Sequence, residues 1–283
     1  MRILCVGNIN YDILFPLDRM PEHHEKMICE GTLQGFGGSA ANTAYWLGKL
    51  GSDVRMAGAV GDDLPGSSHL DCLASAGVDV SGIVKVPGIS SGLAVVFASV
   101  REKRMVRTPG ANMKGQFRSE DLHGCGLVLL SGHDTVLLRQ YASAAGKMGI
   151  KVLCGSGGIK DLNLLGEATG VIINRDEMTD VTGVEDPVEG IRALDLEMSA
   201  VTLPDGGCIV NSGIHVHEVP ADRVEPVDRT GAGDAFAAGF LAGVAAGQAP
   251  DVCGLWGNLM AGEVLMGWGA RPEIVIPKEL LSE

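Results

Sequence analysis

The ten residues Val227-Asp228-Arg229-Thr230-Gly231-Ala232-Gly233-Asp234-Ala235-Phe236 combine the parts of an anion site with those of a base. Gly231 and Gly233 lack a Cβ, so the backbone can turn tightly there and aim several N–H groups one way. Phe236, Phe240, Leu241 and Val244 recur at helical spacing, so those N–H groups belong to the positive end of a helix. Such an end holds a phosphate, or the charge that develops on one during transfer. A carboxylate beside a phosphate is repelled by it. Asp234 makes chemical sense there as the acceptor of a proton from an attacking hydroxyl, and equally as a plain helix cap.

Other polar residues fall where a ligand would meet them. Ile3 to Gly7 reads as a buried strand running into Asn8-Ile9-Asn10-Tyr11-Asp12, which places Asp12 just past a strand's C-terminal end. In open parallel sheets ligands bind at that edge, so Asp12 could hold substrate hydroxyls or simply serve a turn. Gly35-Phe36-Gly37-Gly38-Ser39-Ala40-Ala41-Asn42 leads into a helix with an Ala40, Ala44, Leu47, Leu50 face, stopped by Gly51. Asn42 lies in its first turn. Pro109-Gly110-Ala111-Asn112 is a turn whose Asn could reach a ligand. Asn174-Arg175-Asp176-Glu177 follows Ile172-Ile173 directly, and oxygens at a strand's end can order the hydration shell of Mg²⁺. His215 and His217 alternate on one strand face, but no third metal ligand accompanies them.

The elements that must position these groups follow from periodicity. Val54 to Val60 reads as a strand and Gly66 to Ala76 as a helix. From residue 126 the alternation becomes regular: strand Leu127 to Leu130, helix Thr135 to Lys147, strand Lys151 to Cys154, strand Gly170 to Ile173. Further strands are expected at Ala200 to Leu203, Cys208 to Val210 and Ile214 to Val219. This predicts an α/β fold with a mostly parallel central sheet and helices on both faces, one domain spanning residues 1–283. Phe15 to Gln34 carries no helix period. A strand from Lys26 to Gln34, paired with a hairpin of Leu93 to Val100 and Arg104 to Thr108, would make a small β flap from about 13–36 and 90–109.

Composition limits the partners. Acidic residues outnumber basic ones 35 to 22, and the net charge of −13 disfavours nucleic acid or an anionic membrane as a general partner. Seven cysteines are scattered singly with no CxxC spacing, as expected of free thiols in a reducing cytosol. The initial run Ile3-Leu4-Cys5-Val6 is too short for a signal sequence, so a cytoplasmic location is expected. Aromatic residues are 4% of a chain with 41 glycines, which predicts a closely packed aliphatic core.

Four landmarks in order resemble the ribokinase/PfkB family of sugar and nucleoside kinases over nearly the whole chain. Gly7 to Asp12 is similar to its first-strand substrate motif, and Gly37 to Asn42 to its N-terminal glycine signature. Asn174 to Glu177 is similar to its magnesium motif, and Asp228 to Asp234 to its signature DTxGAGD, apart from Arg229. The resemblance implies a ribokinase-like fold and transfer of the ATP γ-phosphoryl group to a hydroxymethyl group. Asp234 would be the base, and Gly231, Ala232 and Gly233 the anion hole. Asp12, Gly37, Gly38, Asn42 and Asn112 would bind substrate; Asn174, Thr202, Gly207 and Asn258 would bind the nucleotide. Glu177 would serve Mg²⁺ through water, and Asp228 and Thr230 a monovalent cation, K⁺. A small-molecule sugar or nucleoside would be the partner of a homodimer. Pro204 stands where the family has Gly in the nucleotide loop Thr202 to Gly207, and Cys154-Gly155-Ser156-Gly157 replaces a segment that carries Asp or Asn-Pro. The Gly-Gly-Ser-Ala-Ala-Asn-Thr-Ala stretch looks most like archaeal nucleoside kinases. Ribokinase or another free-sugar kinase of the fructokinase kind, and more distantly a non-catalytic sugar or nucleoside sensor on the same fold, stand as alternatives. Phe36 is the first candidate for stacking on a base, with a core role as the other reading.

Overall fold

The computed structural model describes residues 1–99, 102–155, 161–204 and 206–280, so Val100, Arg101, the Ser156-Gly157 pair and Asp205 of the nucleotide loop lie outside it. Along the chain, β1 (Arg2–Gly7), β2 (Asn10–Pro16) and β3 (Leu33–Gly37) precede α1 (Ser39–Lys49). Then come β4 (Val54–Gly61), α2 (Leu64–Ser75), β5 (Asp79–Val86), β6 (Gly92–Ala98) and β7 (Lys103–Thr108). The central run is β8 (Cys125–Ser131), α3 (Thr135–Lys147), β9 (Lys151–Cys154), α4 (Leu162–Leu165), β10 (Gly170–Asn174), α5 (Arg175–Thr182) and α6 (Pro187–Ala193). The chain continues through β11 (Met198–Thr202), β12 (Cys208–Asn211) and β13 (Val216–Val219) into α7 (Ala232–Ala245) and α8 (Pro250–Leu265).

Nine of these strands form one sheet in the order β13-β12-β11-β10-β9-β8-β1-β4-β5. It is parallel from β10 through β5 and parallel between β10 and β11; the last two pairs, β11 with β12 and β12 with β13, are antiparallel. Strand β1 explains the two-sided architecture, because successive side chains of a strand leave by opposite faces. Ile3 and Cys5 join the core that α1, α7 and α8 build around Trp46, Phe236 and Phe240. Leu4 and Val6 join the core that α3, α5 and α6 build around Tyr141, Met178 and Ile191. With both faces covered, β1 can be apolar at every inner position.

The remaining four strands make a second sheet in the order β3-β2-β6-β7, with β2 parallel to β6 and its other pairs antiparallel. Three expectations change here. Asp12 lies within β2 of this sheet, not in a turn beyond β1, because Asn10 to Pro16 pairs along its whole length with Gly92 to Ala98. The strand expected over Lys26 to Gln34 is found at Leu33–Gly37 instead, where its residues can pair with β2. Consequently the β6-β7 hairpin is partnered by β2 and not by a strand at 26–34.

Candidate active site

Helix α7 begins with Gly231 as its N-cap at φ 80°, a left-handed backbone that glycine adopts without strain. A Cβ at Gly231 would stand 2.6 Å from Ala270 Cα, so the turn packs directly on the segment after α8. Asp228 pins that contact. One carboxylate oxygen accepts from the Thr230 amide at 3.0 Å and hydroxyl at 2.8 Å, and the other accepts from the Gly269 amide at 3.0 Å.

Asp234 sits in the first turn of α7 with its carboxylate turned toward α1. Ser39 Oγ donates to Oδ1, and Asn42 Nδ2 donates to Oδ2 at 2.8 Å. Thr43 Oγ1 meets the Asp234 carbonyl at 3.3 Å. Burial pushes the Asp234 carboxyl above its ordinary value; the Ser39 and Asn42 hydrogen bonds and the Arg271 charge pull back, while Glu177 adds to the rise. A carboxylate poised in this way is easier to protonate than one in water.

In front of Asp234 lies a cavity of 230 Å³. Its walls bring together Asp234, Gly231, Gly233, Asn174, Glu177 and Thr202 from the residues expected by sequence. It is closed on other sides by Ser39, Thr43, Ser131 and Gly155. Asn174 caps α5 in a reciprocal pair: its Oδ1 accepts from the Glu177 amide at 2.9 Å, and Glu177 Oε2 accepts from the Asn174 amide at 3.1 Å. This capping box accounts for the Asn-x-x-Glu spacing structurally, and it places a carboxylate at the cavity wall, a group suited to holding Mg²⁺ through water. Among the described residues no three His, Cys, Asp or Glu side chains gather into a metal-binding group; the His215 and His217 rings are 6.3 Å apart.

The other expected residues are not among those that line this cavity. Asp12 projects over Gly37, where a Cβ would come within 2.1 Å of its Oδ2, so only glycine leaves room for that carboxylate. Gly38 is the N-cap of α1. Asn112 is buried and holds the β1–β2 junction, accepting from the Ile9 amide at 2.8 Å and donating to Asn10 Oδ1 at 2.7 Å. Asn258 is likewise buried, donating to the Val219 and Pro220 carbonyls. Gly207 packs its backbone under Val219, in the turn after β11. Phe36 meets Tyr11 edge-on at 6.0 Å and the His69 ring at 4.7 Å.

Sequence reasoning missed three participants. Ser39 was visible inside the glycine stretch, but nothing marked its hydroxyl as the partner of a residue 195 positions away. Arg271 and His69 carried no signal at all, being single polar residues in unremarkable contexts. Arg271 Nε donates to Asn42 Oδ1 at 2.9 Å, and its Nη2 lies 2.9 Å from His69 Nε2. Burial and the facing Arg271 hold His69 well below the usual histidine range, so it is neutral near pH 7.

The profile of the pfkB family carbohydrate kinases matches residues 1–274. A deoxyribokinase of Salmonella typhi is 30% identical over 257 residues, covering 83% of each chain. A nucleoside kinase of Methanothermobacter thermautotrophicus is 25% identical over 299 residues, covering 96% of this chain and 92% of its own. Among solved structures, that of Arabidopsis thaliana ribokinase complexed with ribose and ATP superimposes with a TM-score of 0.87 at 25% identity, covering 99% of this chain and 96% of the other.

Proposed function

The chain belongs to the pfkB family of carbohydrate kinases, phosphotransferases acting on alcohol groups, and from that premise we propose that it transfers the γ-phosphoryl group of ATP to the hydroxymethyl of a ribose-containing acceptor, with a nucleoside as first choice. The observation that carries the reading is the Asp234 carboxylate, held by Ser39 and Asn42 at the start of α7 and open to a cavity.

In this mechanism Asp234 takes the proton of the acceptor hydroxyl as its oxygen bonds to the γ-phosphorus and the bond to the ADP oxygen breaks. The N–H groups of Gly231, Ala232 and Gly233 face the charge on the transferring group, where the helix dipole adds to them. Asp12 and Asn42, with the backbone at Gly37 and Gly38, hold acceptor hydroxyls. Asn112 supports that floor from beneath. Asn174 and Thr202 line the nucleotide side, with Gly207 and Asn258 shaping it through backbone turns. Glu177, at the cavity wall, would hold Mg²⁺ through water, and the metal would supply positive charge against the phosphates. Asp228 and Thr230 would serve K⁺ near the turn. The second sheet is proposed as a lid over the acceptor that excludes water during transfer. Its outer strands β3 and β7 expose Leu33, Met105 and Val106, apolar edges fit for pairing between two subunits.

A free pentose is the second reading, and Phe36 favours it. Its ring is already engaged by Tyr11 and His69, which leaves less of it to stack on a base. The likeness to a deoxyribokinase and a ribokinase points the same way. The test is ADP release with Mg-ATP across ribose, deoxyribose, fructose, adenosine, inosine, guanosine and cytidine, with and without K⁺. Turnover of nucleosides at a kcat/KM of about 10⁴ M⁻¹s⁻¹ or more supports the first reading. Inert nucleosides beside an active free sugar replace it with the second.

A further inference from the structure

Arg271 occupies a position that ordinary packing does not explain. Its guanidinium carbon lies 4.9 Å from the Tyr45 ring centroid and 5.9 Å from that of Phe36, its Nη1 3.7 Å from Cys72 Sγ and its Nη2 2.9 Å from His69 Nε2. Among the described residues no carboxylate forms an ion pair with it. Ring faces stabilise a cation, but removing one from water without a direct counter-ion is costly, and an apolar side chain would fill the same space at less cost.

What Arg271 does have is Asn42, whose Oδ1 accepts from its Nε at 2.9 Å. The other end of that amide donates to Asp234 Oδ2 at 2.8 Å. Arginine can only donate, and an ionised carboxylate can only accept. One orientation of the Asn42 amide therefore satisfies both neighbours, while the flipped one sets donor against donor and acceptor against acceptor. We propose that Arg271 is a positioning residue for the base: by locking the Asn42 amide it fixes the Asp234 carboxylate against α1 and keeps one Asn42 N–H pointed at the reacting side of the site. The inference rests on Asp234 being the base.

The charged surroundings are consistent with this role. Arg271 favours the ionised form of Asp234, whereas Glu177 of α5 opposes it. On its remaining sides the guanidinium meets Tyr45 of α1 and Cys72 of α2, with Glu273 near Tyr45. His69 contributes no charge; it is neutral and hydrogen-bonded to the Asn10 backbone.

The experiment compares Arg271→Met, Arg271→Lys and Asp234→Asn by steady-state ADP release over pH 5–9, using the best acceptor of the panel, with a melting curve for each protein. For Arg271→Met, kcat is expected to fall about ten- to a hundredfold, the usual cost of an outer-shell partner, while the KM for ATP stays the same. The acid limb of its kcat profile moves to higher pH, because the carboxylate has lost a favourable charge. Lysine keeps the charge and lacks the planar fork, so Arg271→Lys should keep the wild-type limb and recover only part of kcat. Wild-type kcat in Arg271→Met, or a loss in it that is uniform across pH, overturns the proposal. Should Arg271→Met fail to fold, Arg271→Lys alone decides: wild-type kcat in that variant overturns it, reduced kcat with an unmoved limb upholds it. A fully active Asp234→Asn protein removes the base reading underneath; an inactive one beside an unmoved limb in Arg271→Met removes only the role of Arg271.

Discussion

Two glycines two positions apart, Gly231 and Gly233, should respond oppositely to the same methyl group. Gly233 lies in the first turn of α7, exposed at the cavity wall, outside the left-handed region, and a Cβ there meets nothing within 4 Å. Alanine at 233 therefore costs no packing and gains up to about 1 kcal/mol of helix propensity, so the melting temperature should hold or rise by about 2–4 °C. Its methyl nevertheless stands beside the N–H groups proposed to face the phosphoryl group. A fall in kcat/KM of about 10²–10³ is expected, comparable to losing one oxyanion donor. At Gly231 the backbone has φ 80°, and the new Cβ would come within 2.6 Å of Ala270 Cα and 2.7 Å of its Cβ. The left-handed conformation costs alanine about 1–2 kcal/mol, and the overlap adds about 1–3 kcal/mol as the neighbouring backbone gives way. Gly231→Ala should lose both melting temperature and activity. The assay pairs melting curves with ADP release under saturating Mg-ATP. A folded Gly233→Ala protein with wild-type kcat/KM would refute the reasoning, since no anion could then be held at that turn.

Asp234→Asn should fold and bind ATP while kcat drops by about 10²–10⁴, the range for a general base. The Asn42 amide must keep donating, so the new side chain turns its oxygen to Asn42 and its NH₂ to the Ser39 hydroxyl, which rotates to accept. The folded-state pKa of Asp234 is raised above its unfolded value, so the native state favours the protonated carboxyl. That stability is present below the unfolded pKa and is lost as pH rises through the folded value. Melting curves should accordingly show Asp234→Asn at least as stable as the parent at pH 7, with any advantage disappearing in acid; a variant markedly less stable at neutral pH would contradict the burial argument. Asp228→Asn sets an amide NH₂ against the Thr230 or Gly269 N–H groups, so a lower melting temperature and a lost response to K⁺ are expected. Equal rates of the parent in K⁺ and Na⁺ would dismiss the cation reading. Glu177→Gln can keep the capping bond to Asn174 yet loses its charge, so its rate should need more free Mg²⁺; an unchanged Mg²⁺ dependence would deny Glu177 that role.

What the sequence revealed depended on the range of the interactions involved. The glycine turn before α7 and the alternation after residue 126 are local patterns, and both elements lie close to where periodicity put them: α3 spans Thr135–Lys147 as expected. Strand β2 was unreadable because its partner β6 begins 76 residues after Pro16, and its sequence Asn-Tyr-Asp-Ile-Leu-Phe-Pro mixes turn residues with apolar ones. Long-range pairing, not local preference, makes it a strand. Helix α8 is apolar on most sides, wedged between α7 and the sheet, and so shows no amphipathic stripe to detect. The Asn-x-x-Glu spacing was legible, but its first use turns out to be a reciprocal helix cap. Arg271 could not be foreseen because the groups that enclose it come from α1 and α2, some 200 residues earlier.

That separation sets the order in which the protein can become active. Asn42 and Arg271 are 229 positions apart, and Trp46 Nε1 donates to the Ala270 carbonyl at 3.1 Å across 224. At about 5–20 residues per second of synthesis, α1 waits about 10–50 s on the ribosome before the strand of chain that completes its polar surroundings has been made. During that interval the indole of Trp46, 1% exposed in the finished fold, and Asn42 beside it have no native cover on that side. Closing contacts of such length is slow, and the loop entropy is spent before the contacts repay it. The polar surroundings of Asp234, the proposed base, can therefore be completed only after α7 and the segment at 270–271 have been made, however early the central strands pair. Chaperone dependence during synthesis should then track mutations at the Trp46–Ala270 contact more closely than mutations in the central strands.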